Sequence, residues 1–386
     1  MSATTGINST TGVSAMAQGA ATTAVPDLVA QLREGLAGRT AAAVLYFASS
    51  SYAPEDLAGP MAENFPEAAV LGCSTAGEFT NDEHLTGGIS AIALPVEILG
   101  RVAAVLGDLT EDPVKGMDRA ITELETAWGT PMRDLATASH VGFALIDGLH
   151  GDEEMVNERL GNAAPMLDFV GGSAGDDLAF DQTWVAVGDR ISHHGVALLL
   201  CQTKVAFRVV KTCSLEPSGV TLRITKADLQ SRTVQEIDGR PAAQVYAEAL
   251  GLEESALDAS VFLAHPLGLM IDGQAWIRSP QQADGNGGLH FYSQIVEGTE
   301  VEMMRGTDLL LDTRKVLDTA RQELGGAHSA VLFNCILRRL EMDAKNLHPG
   351  FLEGLSGLPT AGFHTYGETW LGHINQTLTG VIFGRP

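Results

Sequence analysis

Two segments of the chain share one pattern: Gly72-Cys73-Ser74-Thr75-Ala76-Gly77-Glu78 and Gly362-Phe363-His364-Thr365-Tyr366-Gly367-Glu368 both read G-x-x-T-x-G-E. Each segment follows an apolar run, residues 41–47 in the first case and 330–333 in the second, with a helix-like stretch in between. Glycines beside small polar residues let backbone N–H groups come close to a ligand, and each copy adds a carboxylate. The repetition therefore predicts a duplicated architecture with its sites on equivalent loops.

A third relative of the pattern lies between the two copies. Gly171-Gly172-Ser173-Ala174-Gly175-Asp176 follows the apolar run 141–146 at a similar distance. Strand candidates alternate closely over residues 183–237, as in an antiparallel meander, whereas helices and strands alternate elsewhere. We therefore predict an α/β fold of the mixed α+β type, with two related halves whose mixed sheets are flanked by helices.

The first 25 residues differ in composition from the rest of the chain. They are rich in Ala, Thr, Ser and Gly and contain no basic residue, which predicts a disordered tail over residues 1–25 and argues against a secretory signal. No later stretch has the unbroken apolar length that a membrane span needs. The ordered chain is expected to divide into an N-terminal domain over residues 26–225 and a C-terminal domain over residues 226–386.

Charge and cysteine usage exclude several classes of function. The net charge is −24 and no Lys/Arg cluster occurs, so a nucleic-acid partner is not expected. The four cysteines stand singly at positions 73, 201, 213 and 335, which argues against a zinc ribbon or a thioredoxin-like redox motif. This usage suits a reducing compartment, and we expect the protein in the cytoplasm without a membrane partner.

The two copies of the pattern supply candidate site residues. Glu78 and Glu368 would act as paired acid and base if the duplication brings their loops together, or each would accept N–H bonds and hold its own turn. Ser74, Thr75 and Thr365 either bind a polar ligand or cap a helix.

Arg338 stands next to Arg339 at the end of the apolar run 330–333. Its guanidinium could clamp a carboxylate, or it could pair with one of the many surface acids.

Ser173 is the central residue of a G-x-S-x-G sequence, the pattern of the nucleophile elbow in α/β-hydrolases. In those enzymes the serine lies on a tight turn between a strand and a helix. Here the following residues read as a turn into another strand, and Asp176 and Asp177 would oppose an oxyanion. A serine hydrolase is therefore kept as an enzyme alternative only.

Three histidines lie near apolar strand ends: His265, His364 and His373. A neutral imidazole is a good axial ligand for haem iron, although a lone histidine near apolar residues is also common in a protein core. The sequence contains no H-E-x-x-H or tandem H-x-H spacing, which disfavours a zinc hydrolase.

Several segments together resemble one family of sensory proteins. Residues 71–78 resemble the signature of the N-terminal FIST domain, a module of signal-transduction proteins, and residues 236–246 look like the entry into its C-terminal domain. Further matches to that C-terminal domain are residues 265–268, 333–335 with Arg338, 362–368 and 375–379. The matches keep their order along the chain and cover roughly residues 30–386.

The resemblance implies a stand-alone small-molecule sensor rather than an enzyme. The NosP-like branch of the family binds haem, senses nitric oxide and signals to a histidine kinase or a cyclic-di-GMP enzyme. In that branch haem b would take His364, His265 or His373 as its iron ligand, with His364 preferred because it replaces Ser74 of the first copy. A homodimer is compatible with this interpretation.

The alternative within the family is a sensor of amino acids or similar small anions without haem. Its ligand-binding residues would be drawn from the repeated pattern, its third relative and the arginine pair: Ser74, Thr75, Glu78, Ser173, Arg338, Thr365 and Glu368.

Overall fold

The computed structural model describes residues 13–386 and contains three units with one common topology. Each unit runs strand, helix, strand, helix, strand, hairpin, strand. The first unit comprises β1 (Val13–Gln18), α1 (Ala21–Leu36), β2 (Ala41–Ser49), α2 (Glu55–Asn64), β3 (Ala69–Thr75), β4 (Glu78–Thr80), β5 (His84–Leu85) and β6 (Gly88–Pro95). The second comprises β7 (Leu99–Asp108), α3 (Pro113–Trp128), β8 (His140–Ile146), α4 (Glu153–Ala163), β9 (Phe169–Ser173), β10 (Val185–Val187), β11 (Arg190–Ser192) and β12 (Gly195–Thr203).

The third unit is interrupted after its first strand, β13 (Phe207–Cys213), by an additional sheet with two helices. This insertion comprises β14 (Leu215–Asp228), β15 (Thr233–Ile237), β16 (Arg240–Pro241), α5 (Ala242–Ala249), α6 (Ala259–Ala264), β17 (Leu267–Ile271), β18 (Gln274–Arg278), β19 (Pro280–Ala283), β20 (Leu289–Phe291) and β21 (Glu300–Gly306). The unit then continues with α7 (Leu309–Glu323), β22 (Ala327–Cys335), α8 (Ile336–Lys345), α9 (His348–Leu355), β23 (Thr360–Thr365), β24 (Glu368–Trp370), β25 (His373–Ile374) and β26 (Thr377–Gly384). Three short 3₁₀ turns complete the helices, at Met132–Asp134, Thr137–Ser139 and Glu254–Ala256.

The three units exchange their hairpins in a closed ring. Their sheets have the strand orders β1-β6-β2-β3-β10-β11, β7-β12-β8-β9-β24-β25 and β13-β26-β22-β23-β4-β5. The hairpin of the first unit thus completes the sheet of the third, that of the third completes the second, and that of the second completes the first. Each exchange covers a strand edge that would otherwise be open. The units therefore cannot separate without breaking sheet hydrogen bonds.

A single apolar cluster joins the inner faces of the three sheets. Phe47, Phe143, Phe333 and Phe363 belong to it and are fully buried. The ring of Phe363 lies 4.8 Å from that of Phe47 and 5.7 Å from that of Phe333, measured between centroids. The helices cover the outer faces, so that all nine residues of β2 are buried, as expected for a strand packed on both faces.

Local sequence signals account for the ends of several elements. Helix α3 begins where the Asp112 side chain accepts from the N–H of Lys115, with Pro113 in the tolerated first turn. It ends at Gly129, whose φ of 77° is in the left-handed region that favours glycine. Helix α7 begins in the same manner at Asp308.

The predicted mixed α+β class is confirmed, whereas the repetition is threefold rather than twofold. The third relative of the pattern, residues 171–176, belongs to the middle unit. The sequence indicated two halves because residues 171–176 lack the T-x-G-E ending that the other two copies share.

The ordered chain begins earlier than the sequence predicted. Of the expected disordered tail over residues 1–25, residues 1–12 lie outside the described part, but residues 13–18 form β1 and α1 begins at Ala21. Strand β1 pairs with β6 along its whole length, and its inward residues Ala15 and Ala17 are buried. Small residues in such a strand carry too little apolar surface to be recognised from composition.

The boundary predicted between residues 225 and 226 falls within β14, the first strand of the inserted sheet. The division into two domains stays a prediction.

Among residues 13–386, every helix is too short or too polar to span a lipid bilayer.

Candidate functional site

The three copies of the pattern meet where the exchanged hairpins leave their units. At each meeting point a backbone N–H of one copy donates to a carbonyl of another: Ala76 to His364 at 3.0 Å, Gly175 to Ser74 at 3.1 Å and Tyr366 to Ser173 at 3.2 Å. Ser74, Ser173 and His364 therefore occupy equivalent positions. The equivalence of Ser74 and His364 was readable from sequence, and the structure adds Ser173 to it.

The glutamate of the first copy holds its own hairpin. Glu78 is fully buried; one carboxylate oxygen accepts from the hydroxyl of Thr75 and the other from the N–H of Gly88 at 2.9 Å. Burial raises the pKa of Glu78 to about 8, against the opposing effect of the Thr75 hydrogen bond. The carboxyl group thus fastens the end of β3 to the start of β6.

The second copy repeats this arrangement. Glu368 is fully buried and accepts from the hydroxyl of Thr365 at 2.5 Å and from the hydroxyl of Thr377 at 2.7 Å. Burial raises the pKa of Glu368 to about 7. In both copies the threonine and the glutamate are bonded to each other, so these four predicted site residues have internal partners in the structure.

The two raised pKa values predict that stability falls in mild alkali. The pKa of each carboxyl is higher in the folded chain than in the unfolded one, so folding favours the protonated form. That stabilising contribution is complete below the unfolded-state pKa and is lost as the pH rises through about 7 for Glu368 and about 8 for Glu78. We expect the free energy of unfolding in urea to be lower at pH 9 than at pH 6.

The double variant Glu78→Gln/Glu368→Gln should show a smaller difference between the two pH values, because neither amide ionises. Glu353→Gln, at an exposed position, serves as the control and should retain the wild-type difference. An unchanged pH dependence in the double variant would show that other groups cause it.

A cavity of about 320 Å³ opens at the carboxyl ends of β8 and β9. Its other walls are the beginning of α8, the inserted sheet and the loop over residues 176–183. Its apolar lining includes Leu149, Tyr292 and Leu337, which belong to one apolar cluster, and Phe180; its charged lining includes Glu153 and Arg232. Ligands of α/β proteins commonly bind at the carboxyl ends of strands, and we take this cavity as the candidate site.

The polar side of the cavity is an ion-pair network centred on Arg232. Its Nη2 donates to Oε2 of Glu153 at 2.6 Å and to Glu154, and its Nη1 donates to the carbonyl of Tyr292 at 3.1 Å. Glu153 also accepts from the hydroxyl of Ser173 at 3.1 Å. One guanidinium therefore faces two carboxylates, and the pair of glutamates stands in the first turn of α4, where the helix dipole favours negative charge.

Glu153 stays ionised although its residue is only 2% exposed. Burial acts to raise its pKa, but the Arg232 guanidinium and, after it, His373 hold that pKa below the ordinary value. The carboxylate is thus available to a ligand's positive charge only in competition with Arg232.

The loop over residues 176–183 is inserted in the middle unit and covers the cavity. Asp177, Leu178 and Phe180 have φ values of 55°, 68° and 52°, in the left-handed region where such residues are strained. Asp176 holds the loop by accepting from the N–H of Phe180 at 3.0 Å and from the hydroxyl of Tyr366. The ring of Phe180 stacks on that of Tyr366 at 5.2 Å, so the copy of the pattern over residues 362–368 supports the loop.

Two predicted ligand residues lie buried outside this cavity. Ser74 is fully buried and its hydroxyl accepts from the N–H of Trp184 at 3.0 Å. Arg338 is also buried and donates to three neutral oxygens: Asn334 at 2.8 Å, Ser214 at 3.0 Å and Thr313 at 2.7 Å. Of the predicted ligand residues, only Ser173 is connected to the cavity, by its hydrogen bond to the lining residue Glu153.

The predicted iron ligands have separate surroundings. His364 is fully buried beside Phe79 and His84; its Nδ1 lies 2.9 Å from the Asn334 amide, and its Nε2 has no hydrogen-bond partner. Burial holds its pKa well below the usual range. His373 contacts the carbonyl of Tyr292 at 3.3 Å.

His265, the third predicted ligand, ends α6, and its carbonyl accepts from the hydroxyl of Tyr246 at 2.6 Å. Within residues 13–386 no group of three or more His, Cys, Asp and Glu side chains is placed to hold a metal ion. The free nitrogen of His364 suits iron, but its ring is fully buried beside Phe79 and His84, so a porphyrin would have to displace these rings to reach it.

The geometry around Ser173 differs from that of a hydrolase. Its hydroxyl donates to Glu153, and no histidine of the described chain lies within hydrogen-bond distance of it. Glu153 is a weak base because Arg232 lowers its pKa. The residues after Ser173 form the strained loop rather than the helix of a nucleophile elbow.

Sequence reasoning missed the residues that shape the cavity. Arg232 and Glu153 are 79 positions apart and meet only through the inserted sheet. Glu153 stands in the first turn of α4, and Tyr366 belongs to the repeated pattern, but neither residue carried a sequence signal of its role. The two aspartates after Ser173 were the available indication of an unusual loop.

Comparison with known proteins gives two family matches that together cover most of the chain. Residues 42–240 match the family model described as the FIST N domain, and residues 242–370 match that of the FIST C domain. An uncharacterized protein of Methanocaldococcus jannaschii is 24% identical over 370 residues, covering 84% of this chain and 69% of that protein. A crystal structure of chorismatase aligns with 97% of this chain and 98% of its own, at 10% identity and a TM-score of 0.34, too low to establish a shared fold.

Proposed function

The chain belongs to the FIST family, whose domains are associated with small-ligand sensing in signal transduction, and from this premise we propose that it senses a small zwitterion such as an apolar amino acid. The proposed binding site is the cavity at the carboxyl ends of β8 and β9.

The observation that supports a zwitterion is the pairing of Arg232 with Glu153 and Glu154. A ligand carboxylate can accept from the guanidinium, and a ligand ammonium group can donate to the carboxylates. A simple anion would gain the first contact but would draw Arg232 away from Glu153 and Glu154 without offering these carboxylates a new partner. A simple cation would compete with Arg232 for the same carboxylates. A ligand that brings both charges can replace the internal contacts without leaving a buried charge unpaired.

The apolar wall defines the other half of the ligand. Leu149 and Leu337 belong to one apolar cluster in the lining, and Phe180 stacks on Tyr366 of that cluster, so these residues can accept an aliphatic or aromatic side chain. The cavity volume of about 320 Å³ is at the lower end of the range for small-molecule sites, which suits a single amino acid.

The loop over residues 176–183 supplies a physical route from ligand to signal. It forms one wall of the cavity, and three of its residues are held in left-handed conformations by contacts of Asp176 and Tyr366. A ligand that prefers one loop conformation shifts the population toward it. The receiver in this proposal is a partner protein, a histidine kinase or a cyclic-di-GMP enzyme.

A thermal-shift screen with the twenty amino acids tests this function. We expect at least one apolar amino acid to raise the unfolding midpoint, since a ligand at 100 times its dissociation constant stabilises a protein by about 2.7 kcal/mol. Glutamate and lysine are the built-in controls and should give smaller shifts because the apolar wall offers their side-chain charges no partner. A screen in which no amino acid stabilises the protein would contradict the proposal.

Haem is the second candidate ligand, and one observation favours it: the buried Nε2 of His364 has no hydrogen-bond partner. Because the surroundings of His364 are closed, we expect one equivalent of added haem to keep the absorbance spectrum of free haem. A sharp Soret band that moves with nitric oxide and is lost in His364→Ala, but not in His265→Ala or His373→Ala, would instead establish the haem sensor.

A further inference from the structure

A groove of about 400 Å³ runs between strand β13 and helix α7 and shares no lining residue with the proposed ligand cavity. One wall is formed by six consecutive residues of the strand, 208–213. The other is one face of the helix, with Asp312, Lys315, Val316 and Glu323 at helical spacing. β13 is the last strand of its sheet and pairs only with β26, so the groove lies along an open strand edge.

The register shows which backbone groups point into the open side. Gly384 donates its N–H to the carbonyl of Ala206 at 2.7 Å, and residues 207–213 continue this antiparallel register against β26. Hydrogen-bonded pairs alternate along such a ladder. Positions 208, 210 and 212 therefore bond to β26, whereas 207, 209, 211 and 213 direct their N–H and C=O groups outward. Nη1 of Arg208 donates to the carbonyl of Phe207 at 3.0 Å, which agrees with an outward position of that carbonyl.

The outward edge of β13 has no strand beside it within residues 13–386. Open edges of this kind readily pair with another chain. Here the helix stands alongside the edge and gives the added strand a wall for its side chains, with Val316 half-buried at its centre. The combination of a free strand edge and a flanking helix is the arrangement used for recognition of extended peptides by strand addition.

The charged side chains in the groove indicate the sign of the charge that a bound segment should carry. Arg208 is paired with Glu323 at 2.6 Å, and Asp312 accepts from the hydroxyl of Thr307 at 2.5 Å. Lys315 lines the groove, is exposed, and has no ion pair in the described part of the chain. The groove lining thus carries three positive side chains, Arg208, Lys211 and Lys315, against the two negative ones of Asp312 and Glu323. A net positive charge therefore lies beside the strand edge, in a chain whose net charge is −24.

We propose that the groove between β13 and α7 binds an extended, acidic segment of a partner protein as an additional strand. Its main-chain groups pair with residues 207, 209, 211 and 213, and one of its acidic side chains faces Lys315. This interaction surface is separate from the zwitterion cavity, so its test succeeds or fails independently of the proposed ligand.

Selection from a phage-displayed library of random nine-residue peptides tests the proposal on the full chain. We expect the selected peptides to alternate apolar residues and to carry Asp or Glu, and a fluorescein-labelled consensus peptide to bind in fluorescence polarisation. Val209→Pro removes one outward N–H and should weaken binding by at least about tenfold. Val209→Ala keeps that N–H and should change the affinity by less than about threefold.

A charge exchange provides the second, independent variant in case Val209→Pro does not fold. Lys315→Glu should lower the affinity for the acidic peptide by about tenfold. A peptide with lysine in place of the acidic residue should bind this variant with most of the lost affinity restored. The proposal would be overturned if no peptide is enriched, or if the peptide affinity is the same in the wild type, Val209→Pro and Lys315→Glu. A homodimer in light scattering that Val209→Pro dissociates would also overturn it, because the occupant would then be a second copy of the chain.

Discussion

Replacing Arg232 with methionine is expected to destabilise the protein by about 3–5 kcal/mol, because it leaves a buried charge without its partner. Glu153 is only 2% exposed and loses the guanidinium that neutralises it, together with Glu154. Urea unfolding followed by circular dichroism measures the effect. Arg208→Met is the matched control: it breaks a pair in which both side chains are about half exposed, and should cost less than about 1 kcal/mol.

The loss in Arg232→Met should also depend on pH. Without Arg232, burial raises the folded-state pKa of Glu153 above its unfolded value, so the variant is penalised more as the pH rises and less when Glu153 is protonated. The double variant Arg232→Met/Glu153→Gln should recover part of the stability at pH 8. If Arg232→Met and Arg208→Met cost the same at every pH, the ion-pair network does not have the role assigned to it.

Replacing Gly171 with alanine is expected to prevent folding or to cost more than about 4 kcal/mol, the range reached by a forced clash in a core. A Cβ at this position would lie 1.8 Å from the carbonyl oxygen of Ala144, the residue opposite in the neighbouring strand. The contact is with backbone, so strands β8 and β9 would have to separate. The yield of folded protein and its midpoint in urea measure the outcome.

Gly161→Ala is the matched control for this substitution. Gly161 lies in helix α4 with no heavy atom within 4 Å of a new Cβ, so alanine should stabilise the protein by about 0.5–1 kcal/mol. Gly362→Ala should resemble Gly171→Ala, since its Cβ would lie 2.3 Å from the carbonyl of Leu332. Wild-type stability in Gly171→Ala would mean that the two strands are not packed as closely as the structure shows.

These glycines show how far the repeated pattern could be interpreted from sequence. The pattern was taken as a set of loops that bring N–H groups close to a ligand. In the structure, Gly72, Gly171 and Gly362 have ordinary extended backbone and serve the close approach of a neighbouring strand or ring. Glycine signals close packing in both cases, and sequence alone does not say whether the neighbour is a ligand or the protein itself.

The fold class and the positions of the central strands followed from sequence, because continuous apolar runs such as 41–47 and 141–146 are strong signals. The exchange of hairpins did not, since β4 pairs with a strand more than 270 positions away and its sequence carries no information about that partner. The pairing of Arg232 with Glu153 was hidden for the same reason. Long-range contacts are set by tertiary packing, which periodicity does not encode.

Isothermal titration with matched ligands tests the central claim, that Arg232 and its two glutamates recognise a zwitterion. Leucine, isocaproate and isopentylamine share one aliphatic group and differ only in their charged groups. The account predicts that the apolar amino acid giving the largest thermal shift binds at least about tenfold more tightly than its analogue without the ammonium group and its analogue without the carboxylate. Equal binding of either singly charged analogue, or no heat from any amino acid, would contradict it.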